Sequence, residues 1–132
     1  MKKSPVTAEN STLHVLVVDD EPLIRWSVCE VLDESGHKVA EARDGAAALR
    51  QLSEGTPFDV IVLDYRLPDS NDLRLLETIR RLTPGSAVIM MTAFGTPETV
   101  AGALALGASR VLPKPFDVHD LASLVAQVSG AH

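Results

Sequence analysis

Side chains able to do chemistry stand directly after short apolar runs of this sequence. Two adjacent acids, one further acid, a threonine–alanine pair and a lysine occupy these places: Asp19, Asp20, Asp64, Thr92, Ala93 and Lys114. Carboxylates brought close together repel one another, and the pKa of at least one rises unless a cation lies between them. A set of oxygen ligands suits Mg²⁺, which keeps several waters and accepts phosphate as a further ligand.

Asp64 is the candidate nucleophile of such a site. An ionised carboxylate attacks phosphorus without a general base and forms an acyl phosphate. Phosphoryl transfer depends chiefly on positioning and charge neutralisation, which Mg²⁺ and the ammonium of Lys114 would supply. Thr92 can hydrogen-bond a further oxygen. Each residue alone has a plainer explanation, as a turn acid, a helix cap or a surface lysine. Only their joint placement after the strands indicates a phosphoryl-transfer site.

These residues meet only if the strands that precede them all end at one edge of a sheet. Apolar, β-branched runs predict buried strands at 13–18, 38–42, 58–63, 87–91 and 109–113. Helical spacing between and after them predicts helices from Pro22 to before Gly36, from Asp44 to Ser53, from Asn71 to Leu82, from Thr96 to Gly107 and from Asp117 onward.

This alternation predicts an α/β fold, a five-stranded parallel sheet covered by helices on both faces. The doubly wound, flavodoxin-like strand order 2-1-3-4-5 is the natural choice for five strands, and such sheets place their sites at the carboxyl ends of the strands. We expect a loose polar tail over residues 1–12 and one domain over 13–130.

Net charge, cysteine content and the length of apolar runs further limit the classes of function. The net charge of −6 disfavours direct nucleic-acid binding by this domain. Cys29 is the only cysteine, which excludes an internal disulfide and fits a cytoplasmic location. No apolar run reaches the roughly 18–20 residues that a membrane span needs.

Four motifs complete the pattern: VLVVDDEP, VIVLDYRLPD, MMTAFG and LPKPF. Their order and spacing resemble the receiver domains of two-component response regulators, over roughly residues 13–130. The resemblance implies a signalling switch rather than an enzyme. A histidine kinase or a phosphotransfer protein would phosphorylate Asp64, and the face formed by helix 4, strand 5 and helix 5 would then control an output.

The resemblance also implies a role for each site residue. Asp20 and Asp64 would bind Mg²⁺ directly and Asp19 largely through water, while the backbone carbonyl of Arg66 would complete the protein ligands. A second set would contact the phosphoryl group and carry the switch: Thr92, Ala93 and Lys114. The peptide bond before Pro115 is often cis in such domains.

A finer resemblance concerns the segments IRW, DYRLPD and TAFGTPET, which are similar to nitrogen-regulator-type receivers. Those receivers usually precede an ATPase domain and a DNA-binding domain. Two alternatives stay open: part of a longer parent protein with such an output, or a stand-alone receiver. A phosphorylation-dependent homodimer is a further partner state to test.

Two positions depart from the family pattern. Val111 stands where many receivers carry Tyr or Phe, so the usual coupled movement of threonine and aromatic ring cannot occur. Asp72 stands where Gly is usual, at the entry to helix 3. Gly permits positive φ there, and Asp tolerates that region better than most residues. Ser70, Asn71 or Asp72 are also candidates for the cap of helix 3.

Two other functions stay open. One is a pseudo-receiver, which has the fold and binds a partner but is not phosphorylated. The other is a phosphatase with an Asp nucleophile and Mg²⁺. Such enzymes usually carry a second Asp two residues after the nucleophile, and Arg66 in that place disfavours multiple-turnover hydrolysis.

Overall fold

The computed structural model describes residues 12–130. Strands and helices alternate along this part of the chain: β1 (His14–Val18), α1 (Pro22–Glu34), β2 (Lys38–Ala42), α2 (Gly45–Ser53), β3 (Val60–Asp64), α3 (Arg74–Leu82), β4 (Ala87–Thr92), α4 (Pro97–Ala105), β5 (Arg110–Pro113) and α5 (Val118–Gly130). The five strands and five helices predicted from the sequence are confirmed.

The sheet has the strand order β2-β1-β3-β4-β5, and every neighbouring pair is parallel. This confirms the predicted doubly wound topology. Val18 pairs with Leu63 and Asp64 with Met91, so β1, β3 and β4 end at nearly the same level. The residues that follow these strands therefore share one edge of the sheet.

Side chains of the central strands alternate between two cores, since successive residues of a strand point to opposite faces. Leu16 and Ile61 pack on one face with residues of α2, α3 and α4. Val15 and Val62 pack on the other face with residues of α1 and α5. All four are fully buried, which makes the sheet a rigid base for the loops at its edge.

Helix α3 begins later than the sequence predicted. It starts at Arg74 rather than near Asn71, because the preceding segment forms a separate tight turn in which Leu67 and Ser70 pair with each other. None of the three proposed caps is the N-cap residue, which is Leu73 and makes no side-chain cap bond. Asp72, one residue earlier, accepts a hydrogen bond of 2.9 Å at Oδ1 from the backbone N–H of Arg74.

Helix α4 ends two residues earlier than expected, at Ala105. Gly107 follows with a φ of +105°, a left-handed conformation that stops the helix and favours glycine. Asp117 precedes α5, and its Oδ1 accepts a hydrogen bond of 2.8 Å from the N–H of His119.

Residues 1–11 and 131–132 lie outside the described part of the chain, so the loose tail stays a prediction. Within residues 12–130, no helix combines the length and the apolarity that a membrane crossing requires.

Two leucines of α3 allow a test of this packing. Leu76 is fully buried, whereas Leu82 is 54% exposed. We expect Leu76→Ala to lower the free energy of unfolding by about 2–5 kcal/mol, since it removes apolar contacts and leaves a cavity. Leu82→Ala should change it by less than about 1 kcal/mol. Urea unfolding of both variants measures the difference, and equal losses would contradict the described orientation of α3.

Candidate functional site

Asp19, the first residue after β1, is completely buried. Its Oδ1 accepts a hydrogen bond of 2.8 Å from the N–H of Glu21, and its Oδ2 lies 3.1 Å from Lys114 Nζ. Arg25 also holds this residue, because its Nη1 donates a hydrogen bond of 2.8 Å to the Asp19 carbonyl oxygen. Backbone and side chain of Asp19 are thus both fixed at the sheet edge.

Asp64, the last residue of β3, shares the same lysine. Its Oδ2 lies 3.2 Å from Lys114 Nζ, and its Oδ1 accepts a long hydrogen bond of 3.4 Å from the N–H of Arg66. Glu21 Oε1 is 3.8 Å from the same ammonium. Lys114 comes from the end of β5, so one nearly buried cation ties together the ends of three strands.

Three carboxylates converge as the sequence predicted. Asp19, Asp20 and Asp64 each offer one oxygen, and these oxygens lie within 4.8 Å of one another. Asp20 is exposed, whereas Asp19 and Asp64 are buried, so the cluster opens to solvent on one side. The donor set consists only of carboxylate oxygens, which fits Mg²⁺.

The electrostatics of the site follow from this crowding. Burial and the charge of Asp19 raise the pKa of Asp64 to about 6, although Lys114 opposes the rise. Burial lowers the pKa of Lys114, but the carboxylates of Asp64 and Asp19 outweigh it and hold that pKa above its ordinary value. Lys114 is therefore charged at neutral pH, and the surplus negative charge of the cluster stays partly uncompensated.

A cleft of about 330 Å³ stands over these groups. Asp64, Arg66, Ala93 and Lys114 are among the residues that line it. Thr92 is buried beneath it, and its Oγ1 accepts a hydrogen bond of 3.0 Å from the N–H of Phe94. Of the predicted phosphoryl-binding residues, Ala93 and Lys114 thus face the cleft, while the Thr92 hydroxyl is engaged with its own loop.

The guanidinium of Arg66 lies over the ring of Phe94, 4.7 Å from its centroid. This cation–π contact joins the β3–α3 loop to the β4–α4 loop. Sequence reasoning missed it, and it also missed the contact of Arg25 with Asp19. Arg66 and Phe94 lie far apart in the chain, in two loops without periodicity. Arg25 is only six residues from Asp19, but its bond depends on the direction of a long side chain, which sequence spacing does not fix.

Val111 and Asp72, the two departures from the family pattern, both lie outside the acidic triad. Val111 is half-buried against the core that faces α2, α3 and α4. The carboxylate of Asp72 is exposed and lies 3.5 Å from Arg74 Nε, so it pairs with a neighbour instead of joining the acidic triad. The peptide bond between Lys114 and Pro115 is cis, as expected.

Comparison with known proteins agrees with this fold and site. Residues 15–126 match the response regulator receiver domain. The chain belongs to this family, and it is the receiver of a two-component response regulator, a signalling switch rather than a true enzyme.

Individual relatives give the same result. The chain is 37% identical over 116 residues to the phosphate regulon transcriptional regulatory protein PhoB of Klebsiella pneumoniae, covering 86% of this chain and 50% of that protein. It is 38% identical over 111 residues to the DNA-binding transcriptional regulator NtrC of Escherichia coli (strain K12), covering 84% and 24%. The chain thus spans about half or less of the length of these curated relatives.

A solved structure extends the comparison to three dimensions. The crystal structure of a CheY-like response regulator receiver domain protein from Methanospirillum hungatei JF-1 superposes with a TM-score of 0.84 at 29% identity. The match covers 90% of this chain and 94% of that one. The predicted flavodoxin-like receiver fold is therefore confirmed.

The raised pKa of Asp64 leads to a stability prediction. A carboxyl group whose folded pKa exceeds its unfolded value stabilises the protein below the unfolded pKa and loses that contribution as pH rises through the folded pKa. For Asp64 this window runs from about pH 4 to about pH 6. Without Mg²⁺, Asp64→Asn should therefore raise the free energy of unfolding by about 1–3 kcal/mol at pH 8, with a smaller gain at pH 5.

The measurement is urea unfolding in the presence of a chelator at both pH values. Asp33→Asn is the control, because Asp33 is an exposed acid of α1 outside the cluster. It should change stability by only about 0.5 kcal/mol at either pH. A loss of stability in Asp64→Asn at pH 8 would contradict the described repulsion.

Proposed function

We propose that Asp64 is the residue that receives a phosphoryl group from the phosphohistidine of a sensor kinase or of a phosphotransfer protein. The observation that carries this proposal is the arrangement around Lys114, whose ammonium lies 3.2 Å from Asp64 and 3.1 Å from Asp19. An acid at the end of a central strand is thereby held beside a cleft, next to a cation suited to a phosphoryl oxygen.

The transfer itself needs little covalent machinery. An oxygen of ionised Asp64 forms a bond to phosphorus while the bond from phosphorus to the histidine nitrogen breaks. The electron pair stays on the imidazole nitrogen, which takes up a proton from solvent. Lys114 neutralises part of the charge on the phosphoryl oxygens, and the buried walls of the cleft hold Asp64 in place for attack.

Mg²⁺ is the cofactor that the acidic triad supports. The residues that would hold it are Asp19, Asp20, Asp64 and, through its backbone carbonyl, Arg66. When bound, the ion would offset negative charge on the phosphoryl oxygens and on the carboxylates. The triad fits this role because its oxygens already cluster within 4.8 Å and Asp20 keeps one side open to solvent.

The output side of the proposal concerns the face formed by α4, β5 and α5. We propose that Thr92 and Ala93 move toward the phosphoryl group, which releases the hydrogen bond between the Thr92 hydroxyl and Phe94. Val111 cannot report this movement by rotating an aromatic ring. The change would instead reach α4 through the backbone of the β4–α4 loop, which contains Phe94.

The relatives support a proposal about the kind of output domain. Both PhoB and NtrC are transcriptional regulators of which the receiver is only a part. We propose that this receiver serves a longer regulator with an ATPase domain and a DNA-binding output, as the nitrogen-regulator resemblance implies. We also propose that phosphorylation favours a homodimer. A cytoplasmic location fits the free thiol of Cys29.

Phosphorylation can be tested directly. In Mg²⁺ with acetyl phosphate as donor, intact mass spectrometry should show one added phosphoryl group, and Asp64→Asn should abolish it. Asp72→Asn is the matched control, since it neutralises a nearby exposed acid outside the triad and should leave phosphorylation unchanged. No mass gain in the wild-type protein, despite Mg²⁺ binding, would favour the pseudo-receiver.

The proposed role of Thr92 predicts that a Thr92 variant binds the phosphoryl mimic without the full structural response of α4 and β5. With beryllofluoride as the phosphoryl mimic, amide NMR shifts of Thr92→Ala should still change around Asp64, because the acidic triad and Lys114 are intact. Shifts on α4 and β5 should change far less than in the wild-type protein. Thr83→Ala is the control, because Thr83 lies at the end of α3. A wild-type pattern of amide shift changes in Thr92→Ala would contradict the proposal.

A further inference from the structure

The loop between β3 and α3 contains a tight turn immediately after the site. Leu67 N–H donates to the Ser70 carbonyl over 2.7 Å, and Ser70 N–H donates to the Leu67 carbonyl over 3.2 Å. Pro68 and Asp69 lie at the tip of this turn. Pro is well suited there, since its fixed φ matches the first central position of a common turn.

Asp69 does not point into solvent but caps a different helix. Its Oδ1 accepts a hydrogen bond of 2.8 Å from Gly45 N–H, and its Oδ2 accepts one of 3.0 Å from Ala46 N–H. Both donors belong to the first turn of α2, more than twenty residues earlier in the chain. These bonds, led by that from Gly45, hold the pKa of Asp69 below its ordinary value.

The first turn of α2 already has its own cap. Asp44 accepts a hydrogen bond of 2.8 Å from Ala47 N–H, and its carbonyl accepts one from Ala48 N–H. A helix N-terminus needs partners for its free N–H groups, and one local carboxylate commonly satisfies only one or two. Asp69 supplies the remaining partners, so two carboxylates from separate segments share this helix end.

Gly45 makes this contact sterically feasible. A Cβ atom at position 45 would lie 3.2 Å from Asp69 Oδ1 and 3.1 Å from Leu75 Cδ2. Both distances are tighter than ordinary contacts, so with a Cβ atom at this position the Asp69 carboxylate and the Leu75 side chain would have to shift by a few tenths of an ångström. Glycine therefore lets the turn approach the backbone of α2 closely.

The turn begins where the phosphorylation site ends. Arg66, whose backbone carbonyl is a proposed Mg²⁺ ligand, directly precedes it, and Leu67 and Pro68 line the cleft together with Asp64. On its site side, the loop is held by β3 itself. Beyond β3, Arg66 contacts the ring of Phe94 and Leu67 packs into the core that faces α2, α3 and α4. The two bonds from Asp69 tie the tip of the turn to α2.

We propose that Asp69 is a positioning residue for the Mg²⁺ site: by anchoring the β3–α3 turn on the N-terminus of α2, it fixes the backbone carbonyl of Arg66 beside the acidic triad. This inference rests on the proposed function, because it assigns to Asp69 a part in building the same cation site. Outer partners of metal ligands commonly change metal affinity by about 10–100-fold when removed.

The test compares two carboxylates that cap the same helix. Asp69→Ala and Asp44→Ala each remove hydrogen bonds from the first turn of α2, but only Asp69 belongs to the β3–α3 loop. The full chain is titrated with Mg²⁺ alone, followed by amide NMR shifts of residues 64–67. Urea unfolding reports the stability of each variant independently.

We expect Asp69→Ala to weaken Mg²⁺ binding by about tenfold or more, the range seen for outer partners of metal ligands. Asp44→Ala should keep wild-type affinity within about twofold while its urea unfolding midpoint falls, because the variant loses a helix cap. Asp69→Asn keeps one acceptor oxygen and should restore part of the affinity. This variant also serves if Asp69→Ala does not fold.

Other outcomes overturn the proposal in distinguishable ways. Wild-type affinity in both Asp69 variants, or an equal loss in Asp69→Ala and Asp44→Ala, would reduce Asp69 to a stabilising cap. A wild-type protein that binds no Mg²⁺ would remove the cation site itself and the proposed function with it.

Discussion

The structure depends on one constraint, the accommodation of buried negative charge at the edge of the sheet. Asp19 and Asp64 are withdrawn from water, and ions in such places are costly unless they are paired and hydrogen-bonded. Lys114 meets this need with contacts of 3.1 and 3.2 Å. It does so only if β1, β3 and β5 are parallel and end at the same level, which is what the strand order provides. The two apolar cores fix that level, since the strands bury side chains on both faces.

The negative charge at this edge is only partly compensated. One lysine faces several carboxylates, so the pKa of Asp64 stays raised to about 6. Sites that are useful in chemistry often lower the stability of the folded state. A bound divalent cation and a phosphoryl group would together restore the balance of charge. The loops around the cleft are then the parts of the molecule able to respond, while the sheet beneath them stays fixed. Arg66 over Phe94 and Asp69 on α2 show that these loops are tied to specific neighbours rather than free.

The sequence predicted the sheet and the acidic triad because both follow from patterns along the chain. Buried strands appear as β-branched runs, and parallel strands bring the residues after them to one edge. It did not predict the start of α3, since the turn at residues 67–70 is fixed by the contact of Asp69 with Gly45, two residues with no shared local pattern. The anchoring of Asp19 by Arg25 was not predicted either, because it depends on the conformation of the long Arg25 side chain. The orientation of Thr92 was beyond a sequence argument, because it depends on whether the hydroxyl meets the cleft or the N–H of Phe94.

We propose that one carboxylate among several neighbours, that of Asp64, becomes an acyl phosphate. The most direct measurement is to phosphorylate the protein with acetyl phosphate and Mg²⁺, reduce the acyl phosphate with borohydride, and map the product by peptide mass spectrometry. Reduction converts a phosphorylated aspartate into homoserine and leaves free carboxylates unchanged. We expect homoserine at position 64 alone. Homoserine at position 19 or 20, or at none of the three positions in a protein shown to carry phosphate, would contradict it.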